Sequence, residues 1–399
     1  MKSVLLIYHF FHPDPVISAR LFSDLAKYLA ENGFEVTVFT GNRLIRSTEE
    51  LPLNENWNGV QIQRFKRPAF SQSSNVGRLI NSAILQMKWL LAFRKHYNEF
   101  DSVIIGTDPQ FAYMMFPFLR MMNPKVRLIH WAFDLYPEAI LVNSPYWMKF
   151  LAGLTKPFLP WAYRKLDDIV DIGICMRKRL QQYHHHAHCE TLTTWALMEP
   201  QTIPEADPET RQELFGNADL GLLYSGTVGY AHNLEPFIQL ARKCRQRNIS
   251  VAFCFAGYGN CFKTQVSMLT PEDTNIRIAD FANEKDLEKR LASADIHMIS
   301  LRPGWEGIVV PSKFFGALAI GRPVLFSGPE QSEIAQWCIQ MNLGWLLSEN
   351  TTEKLEALLS DKHKIDDLKQ HVFRCYHQEF SRKCILRQWE KLLSTPSES

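Results

Sequence analysis

The chain has 399 residues, of which 46% are hydrophobic and 22% charged, and its 44 basic residues stand against 42 acidic ones for a formal net charge of +2. That length favours two or three domains, each able to bury its own core. The even charge balance excludes a globally polyanion-binding chain, so any anionic ligand must be met by a local patch, and nucleic acid is not an expected partner.

The opening residues, Met1-Lys-Ser-Val-Leu-Leu-Ile-Tyr8, read as a first buried strand, too short for a signal peptide. Ile17, Leu21, Phe22, Leu25, Tyr28 and Leu29 then recur at helical spacing until Asn32-Gly33, and residues 35–40 form the next strand. Apolar runs at 102–105, 127–130 and 169–174 are each followed by a helical pattern. Short apolar strands alternating with amphipathic helices predict a parallel sheet covered on both faces. Residues 199–216, with Pro200, Pro204 and Pro208, read as a linker. The alternation restarts with a strand at 220–225, a helix at 234–244, a strand at 250–256, a helix at 286–293 and strands at 294–301 and 323–326. Residues 362–393 are helical and rich in Arg and Lys. The expected fold class is α/β: two Rossmann-like, doubly wound parallel-sheet domains with an interdomain cleft. The expected domains are 1–198 and 217–375, with a linker at 199–216 and a helical segment at 376–399 returning to the first domain.

No apolar run approaches the roughly 18–20 residues of a spanning helix. The eight cysteines are scattered, without a CxxC pair, so reduced thiols are expected. His184-His-His-Ala-His188 reads as a solvated loop, because adjacent histidines point apart and no second ligand cluster has metal spacing. Residues 146–165 mix Trp147, Phe150, Phe158 and Trp161 with Lys149, Lys156, Arg164 and Lys165, and residues 87–96 add Trp89 and Phe93 beside Lys88, Arg94 and Lys95. Aromatic and basic residues together suit a membrane interface; helices buried on one side are the alternative.

The most telling stretch is Glu306-Gly-Ile-Val-Val-Pro-Ser-Lys313, which leads through a helix to Gly321-Arg-Pro-Val324. A lysine in the first turn of a helix makes an anion site with the free backbone N–H groups there. Ser225-Gly-Thr-Val-Gly229 lets the backbone approach a ligand closely, as does Gly257-Tyr-Gly259; a tight structural turn is the alternative for each. Asp134 follows a buried strand at its carboxyl end, where a polar residue faces the cleft, and is a base-like candidate with Glu138 and His130 behind it. Its alternative is to cap a helix starting near Tyr136. Asp108, in Gly106-Thr-Asp-Pro109, is a similar candidate with a turn as its alternative.

These motifs, with Phe11-His-Pro13, Trp131-Ala-Phe-Asp-Leu-Tyr-Pro-Glu138 and Tyr224-Ser-Gly-Thr-Val-Gly-Tyr-Ala-His-Asn-Leu-Glu235, resemble the retaining GT-B glycosyltransferases. Within them, the resemblance is to the large family that builds bacterial lipopolysaccharide, O-antigen and capsular sugars, in the subgroup with Pro-Ser-Lys and Gly-Arg-Pro-Val. It implies transfer of a hexose or N-acetylhexosamine from a UDP-sugar to a surface-glycan acceptor, lipid-linked through a polyprenyl diphosphate, with retention and without a metal or other cofactor. It implies a cytoplasmic protein, peripheral at the inner face of an anionic membrane.

By resemblance, Gly226, Thr227 and Gly229 lie against the donor phosphates, and His232 stands where many members carry a basic residue. Gly257, Gly259 and Phe281 lie beside the nucleotide, and Gly307, Pro311 and Ser312 line the turn into Lys313. Lys313 becomes the diphosphate partner, Glu306 the sugar-hydroxyl partner and Asp134 the acceptor-side group. The chain departs from the family at further positions. Gly316 occupies the position of the second glutamate, Glu306 lies two positions earlier than the first, and Phe133 replaces the histidine before Asp134. A GT-B sugar-nucleotide epimerase and a non-catalytic partner subunit are the alternative functions.

Overall fold

The computed structural model describes residues 2–45, 49–68, 70, 75–184, 186–259, 261–280 and 282–395. The chain divides into two compact units, Met1–Thr193 with Leu386–Ser399, and Thr194–Ile385.

The first unit is built on β1 (Ser3–Ile7), β2 (Glu35–Gly41), β3 (Asn54–Trp57), β4 (Val60–Phe65), β5 (Ser102–Gly106), β6 (Arg127–Trp131), β7 (Asp168–Asp171) and β8 (His188–Thr191). Their order is β3-β4-β2-β1-β5-β6-β7-β8, and every pairing is parallel except the β3–β4 hairpin at the edge. The central strands are near-continuous apolar runs because helices cover both faces; all five residues of β5 are buried. The hairpin closes on Asn58-Gly59, both at positive φ (50° and 82°), which matches the twist of its strands. Sequence order reverses direction between β1 and β5, so the loops leaving their carboxyl ends flank a switch point where such sheets bind ligands.

The second unit holds β9 (Leu220–Thr227), β10 (Val251–Tyr258), β11 (Ile276–Ala279), β12 (Ile296–Ser300), β13 (Val324–Ser327) and β14 (Gly344–Leu346), in the order β11-β10-β9-β12-β13-β14 with parallel pairing. Its switch point lies between β9 and β12. The helix Glu235–Gln246 lays Phe237, Ile238, Leu240, Ala241 and Cys244 onto the core, the 3.6-residue stripe of an amphipathic helix. Residues 199–216 carry the helix Pro208–Phe215, begun by Asp207, whose carboxylate accepts the Thr210 N–H at 2.8 Å, and anchored by buried Leu214 and Phe215.

The last helix, Arg382–Ser394, starts among the residues of the second unit and ends among those of the first. In the first unit Trp389 is fully buried on Trp131, with ring centroids 4.9 Å apart. Arg127 Nη1 donates to Leu392 O at 2.8 Å, Lys2 Nζ to Leu393 O at 2.8 Å, and the Tyr28 hydroxyl to Glu390 Oε2 at 2.7 Å.

Two expectations are corrected here. Trp89 and Phe93 belong to the core, so the segment 87–96 is a helix buried on one side and its aromatic rings are not at the surface. The histidine run is a solvated loop only in part: His186 and His188 are exposed, but His184 is buried with Nε2 3.4 Å from Cys189 Sγ, and His188 opens β8 with Nδ1 3.4 Å from Asp168. His185 lies outside the described residues.

Candidate active site

In the second unit, the loops after β9, β10 and β12 and the turn before the helix Lys313–Ala319 meet at the carboxyl end of the sheet. The β9–β10 register sets Gly226 opposite Gly257 and Thr227 opposite Tyr258. Gly226 has φ +125°, a conformation that favours glycine, and the lysine stem runs close over it: a Cβ there would sit 2.8 Å from Lys313 Cε and push the end of that side chain aside. Gly259, at φ +117°, packs as tightly: its Cβ would lie 2.8 Å from Val228 O and 3.2 Å from Thr227 Cγ2. Gly229, in contrast, has no neighbour within 4 Å of where its Cβ would be.

Lys313 is half-buried, with Nζ 5.4 Å from the centre of the Tyr224 ring and 3.4 Å from His232 Nε2. Among the described residues no carboxylate pairs with it, and burial pushes its pKa down to about 8. An ammonium withdrawn from water without a counter-ion is poised for an anion. His232 shares Nδ1 with Ser300 O at 3.0 Å. A carbonyl only accepts, so Nδ1 carries the proton and Nε2 offers its lone pair to the lysine. Burial first, then the charge of Lys313, pushes the His232 pKa down to about 3. The ring is therefore neutral, and with Nδ1–H given to Ser300 no N–H remains to donate to a phosphate. His232 orients Lys313. Its own carbonyl is fixed by Arg302 Nε at 2.8 Å and Gln265 Nε2 at 3.1 Å.

Glu306 sits in the turn before this helix, where Oε2 accepts the Gly304 N–H at 2.7 Å; Gly304 and Gly307 supply positive φ values of 87° and 71°. Pro311 is buried, and Ser312 precedes the helix without a side-chain capping bond. Gly316 lies within the helix with only Leu291 Cδ1, at 3.9 Å, near a prospective Cβ. Phe281 lies outside the described residues. Beyond the helix, Arg322 explains the Gly-Arg-Pro-Val sequence structurally. The buried guanidinium donates to Ala294 O (2.8 Å), Ile320 O (3.0 Å), Pro204 O (2.8 Å) and Ala292 O (2.6 Å), tying loops of the second unit together.

In the first unit, the β1–β5 switch point gathers a polar chain. Arg67 Nη1 lies 3.1 Å from His9 Nε2, and His9 Nδ1 lies 3.1 Å from Asp108 Oδ2. A guanidinium only donates, so Nε2 accepts and the Nδ1–H points at Asp108. Both His9 and Arg67 are buried, whereas the Asp108 side chain is 34% exposed. Asp134 follows β6 and gives its N–H to Thr107 Oγ1 at 3.4 Å. Burial and, second, the charge of Asp108 raise its pKa, though the side chain keeps enough open surface to limit the effect of burial. The next helix, Glu138–Asn143, starts after Pro137 without a side-chain cap, so Asp134 is not its cap. His130 is enclosed in the core, with Nδ1 2.9 Å from Ile105 O and a pKa pushed down to about 4 by burial. Glu138 is buried and accepts from the Tyr183 hydroxyl. Asp134 and Asp108 are the exposed carboxylates of this group. Sequence reasoning missed His9 and Arg67; the signal for His9 was its place just past a buried first strand.

No protein-family profile matches the chain. It is 25% identical over 328 residues to a probable glycosyltransferase WbjE of Pseudomonas aeruginosa, covering 77% of each chain. Among solved structures it resembles sucrose-phosphate synthase of Thermosynechococcus elongatus with a TM-score of 0.70, 12% identity and 98% coverage of each chain. It also resembles WaaG, a glycosyltransferase involved in lipopolysaccharide biosynthesis, with a TM-score of 0.63, 14% identity, and coverage of 98% of this chain and 100% of that one. The likeness to solved structures gives the chain the GT-B fold, and over 77% of its length its sequence is similar to that of a probable glycosyltransferase.

Proposed function

We propose that this protein is a glycosyltransferase that takes its sugar from a UDP-sugar and adds it, with retention of configuration, to a lipid-linked precursor of a bacterial surface glycan. The observation that carries the reading is Lys313: a half-buried ammonium without a carboxylate partner, held by neutral His232 beside the glycine-bearing loop after β9. When the bond from the anomeric carbon to the diphosphate oxygen breaks, negative charge grows on the leaving diphosphate, and a preorganised cation lowers that barrier. Lys313 and the backbone of Gly226, Thr227 and Gly229 take this role. Gly257 and Gly259 bring the neighbouring loop close, and Glu306 holds donor-sugar hydroxyls from the turn ahead of Lys313. On the first unit, Asp134, with Asp108 beside it, orients the acceptor hydroxyl.

The test is a thermal-shift panel of UDP, GDP and ADP with their sugars, since a ligand that binds only the folded state raises apparent stability by mass action. UDP compounds should give the largest shifts, and a protein indifferent to every nucleotide diphosphate would end the reading. Glu306→Ala should weaken a UDP-sugar more than UDP itself, measured by titration calorimetry; equal loss for both would move Glu306 away from the sugar.

A further inference from the structure

The helix Tyr146–Thr155 turns the usual packing rule inside out. Its large residues face solvent: Tyr146 is 88% exposed, Trp147 50%, Phe150 64%, Leu151 49% and Leu154 55%. Its buried residues are Met148 and the small Ala152, which rest on Ile140. At 3.6 residues per turn, the five exposed side chains fall within an arc of about 140°. A helix that served only the core of its own unit would point its aromatic rings inward, as the helix Asn75–His96 does with Trp89 and Phe93. The surface continues past the helix, where Phe158 and Trp161 are 50% and 48% exposed. Contiguous exposed apolar surface of this kind marks an interaction site.

The charges around it identify the partner. Lys149, Lys156, Arg164 and Lys165 accompany the rings, and no acidic residue occurs between positions 146 and 165. Lys156 and Arg164 are exposed. We propose that residues 146–161 dock on an anionic lipid bilayer, with Trp147, Phe150 and Leu154 entering the headgroup–acyl boundary and the cations meeting lipid phosphates. Rings and cations in one short, acid-free segment are the composition of an interfacial anchor. A second copy of the chain fits less well, because a twofold interface would set the same uncompensated cations against each other. Among the described residues no helix is long and apolar enough to cross a membrane, so the contact lies in the interface plane. The inference stands apart from the transfer reaction: its failure would leave nucleotide binding untouched.

The test uses the full chain with sedimented vesicles of phosphatidylglycerol and phosphatidylcholine, against phosphatidylcholine alone. Binding to the anionic vesicles should be at least tenfold stronger and should fall as salt rises, with indole fluorescence quenched by brominated acyl chains. The double variant Phe150→Glu and Leu154→Glu, which leaves Trp147 and Trp161 as reporters, should lose at least tenfold in partitioning while circular dichroism and melting temperature stay at wild-type values. Equal binding to both vesicle types, or a double variant that partitions like the wild type, would overturn the proposal. So would a wild-type protein that ignores vesicles and forms a concentration-dependent dimer that the double variant loses, because the face would then be a self-interface.

Discussion

Replacing Lys313 with methionine should make the ligand-free protein more stable at pH 7 while weakening UDP. Burial lowers the amino group from 10.5 to about 8, and at 1.36 kcal/mol per pKa unit the charge costs the folded state about 3 kcal/mol. The folded protein releases this proton at lower pH than the unfolded chain. The cost is therefore complete below pH 8 and shrinks as pH rises toward 10.5, where the unfolded chain also deprotonates. Methionine keeps the stem that threads past Gly226 and removes the charge. Losing the contact with His232 Nε2 returns about 1 kcal/mol. The net gain is about 2 kcal/mol at pH 7, or about 4–8 °C in melting temperature for a folding unit of this size. By pH 10 most of it should be gone. Differential scanning fluorimetry at the two pH values, with titration calorimetry of UDP, reads both halves. The expected result is a higher melting point with UDP affinity reduced at least tenfold. A K313M protein that melts below wild type at pH 7, or that binds UDP as wild type does, would refute the argument that this lysine waits for an anion.

Other changes have equally definite outcomes. Asp108→Asn removes the charge that holds the Asp134 pKa up, so the acid limb of kcat/KM against pH should move to lower pH; an unmoved limb would show that Asp134 is not the titrating group. Arg322→Lys leaves a three-donor ammonium where a guanidinium now serves four carbonyls, and the melting temperature should fall by the equivalent of about 2–4 kcal/mol, with UDP still bound below the transition. Gly316→Ala should stabilise the protein by about 0.5–1 kcal/mol, since it removes backbone freedom in a helix where the new methyl meets only Leu291; a lower melting temperature would reveal a clash.

What the sequence disclosed depended on how each feature is encoded. The central strands of both sheets were legible because burial on two faces writes a continuous apolar run, as in Val103–Ile105 beside Leu5–Ile7. The β3–β4 hairpin was not, because Asn-Glu-Asn-Trp carries no apolar run and its turn signal was a single Asn-Gly. The helix Pro208–Phe215 was hidden by a proline-rich neighbourhood, although Asp207-Pro208 is a helix start in itself. Within the candidate site, Lys313 and Gly226 were named separately, and only coordinates put the lysine stem against that glycine. His232 was read as a substitute donor; the Ser300 carbonyl that occupies its N–H comes from a strand 68 residues away. The Arg67–His9–Asp108 chain joins three loops distant in sequence, so neither composition nor spacing could announce it.

The closing helix has a consequence for how the protein comes into being on the ribosome. The first unit needs residues from Leu386 onward, since Trp389 fills the space over Trp131 and Leu392 and Leu393 supply carbonyls to Arg127 and Lys2. The half of the molecule that is translated first is therefore finished last. Until the tail arrives, the nascent first unit exposes an indole face, and Arg127, though paired with Asp168, and Lys2 lack the tail carbonyls; the second unit is synthesised in full during that wait. Loss of even the last few turns should surface as misfolding around Arg127, 265 positions upstream of Leu392.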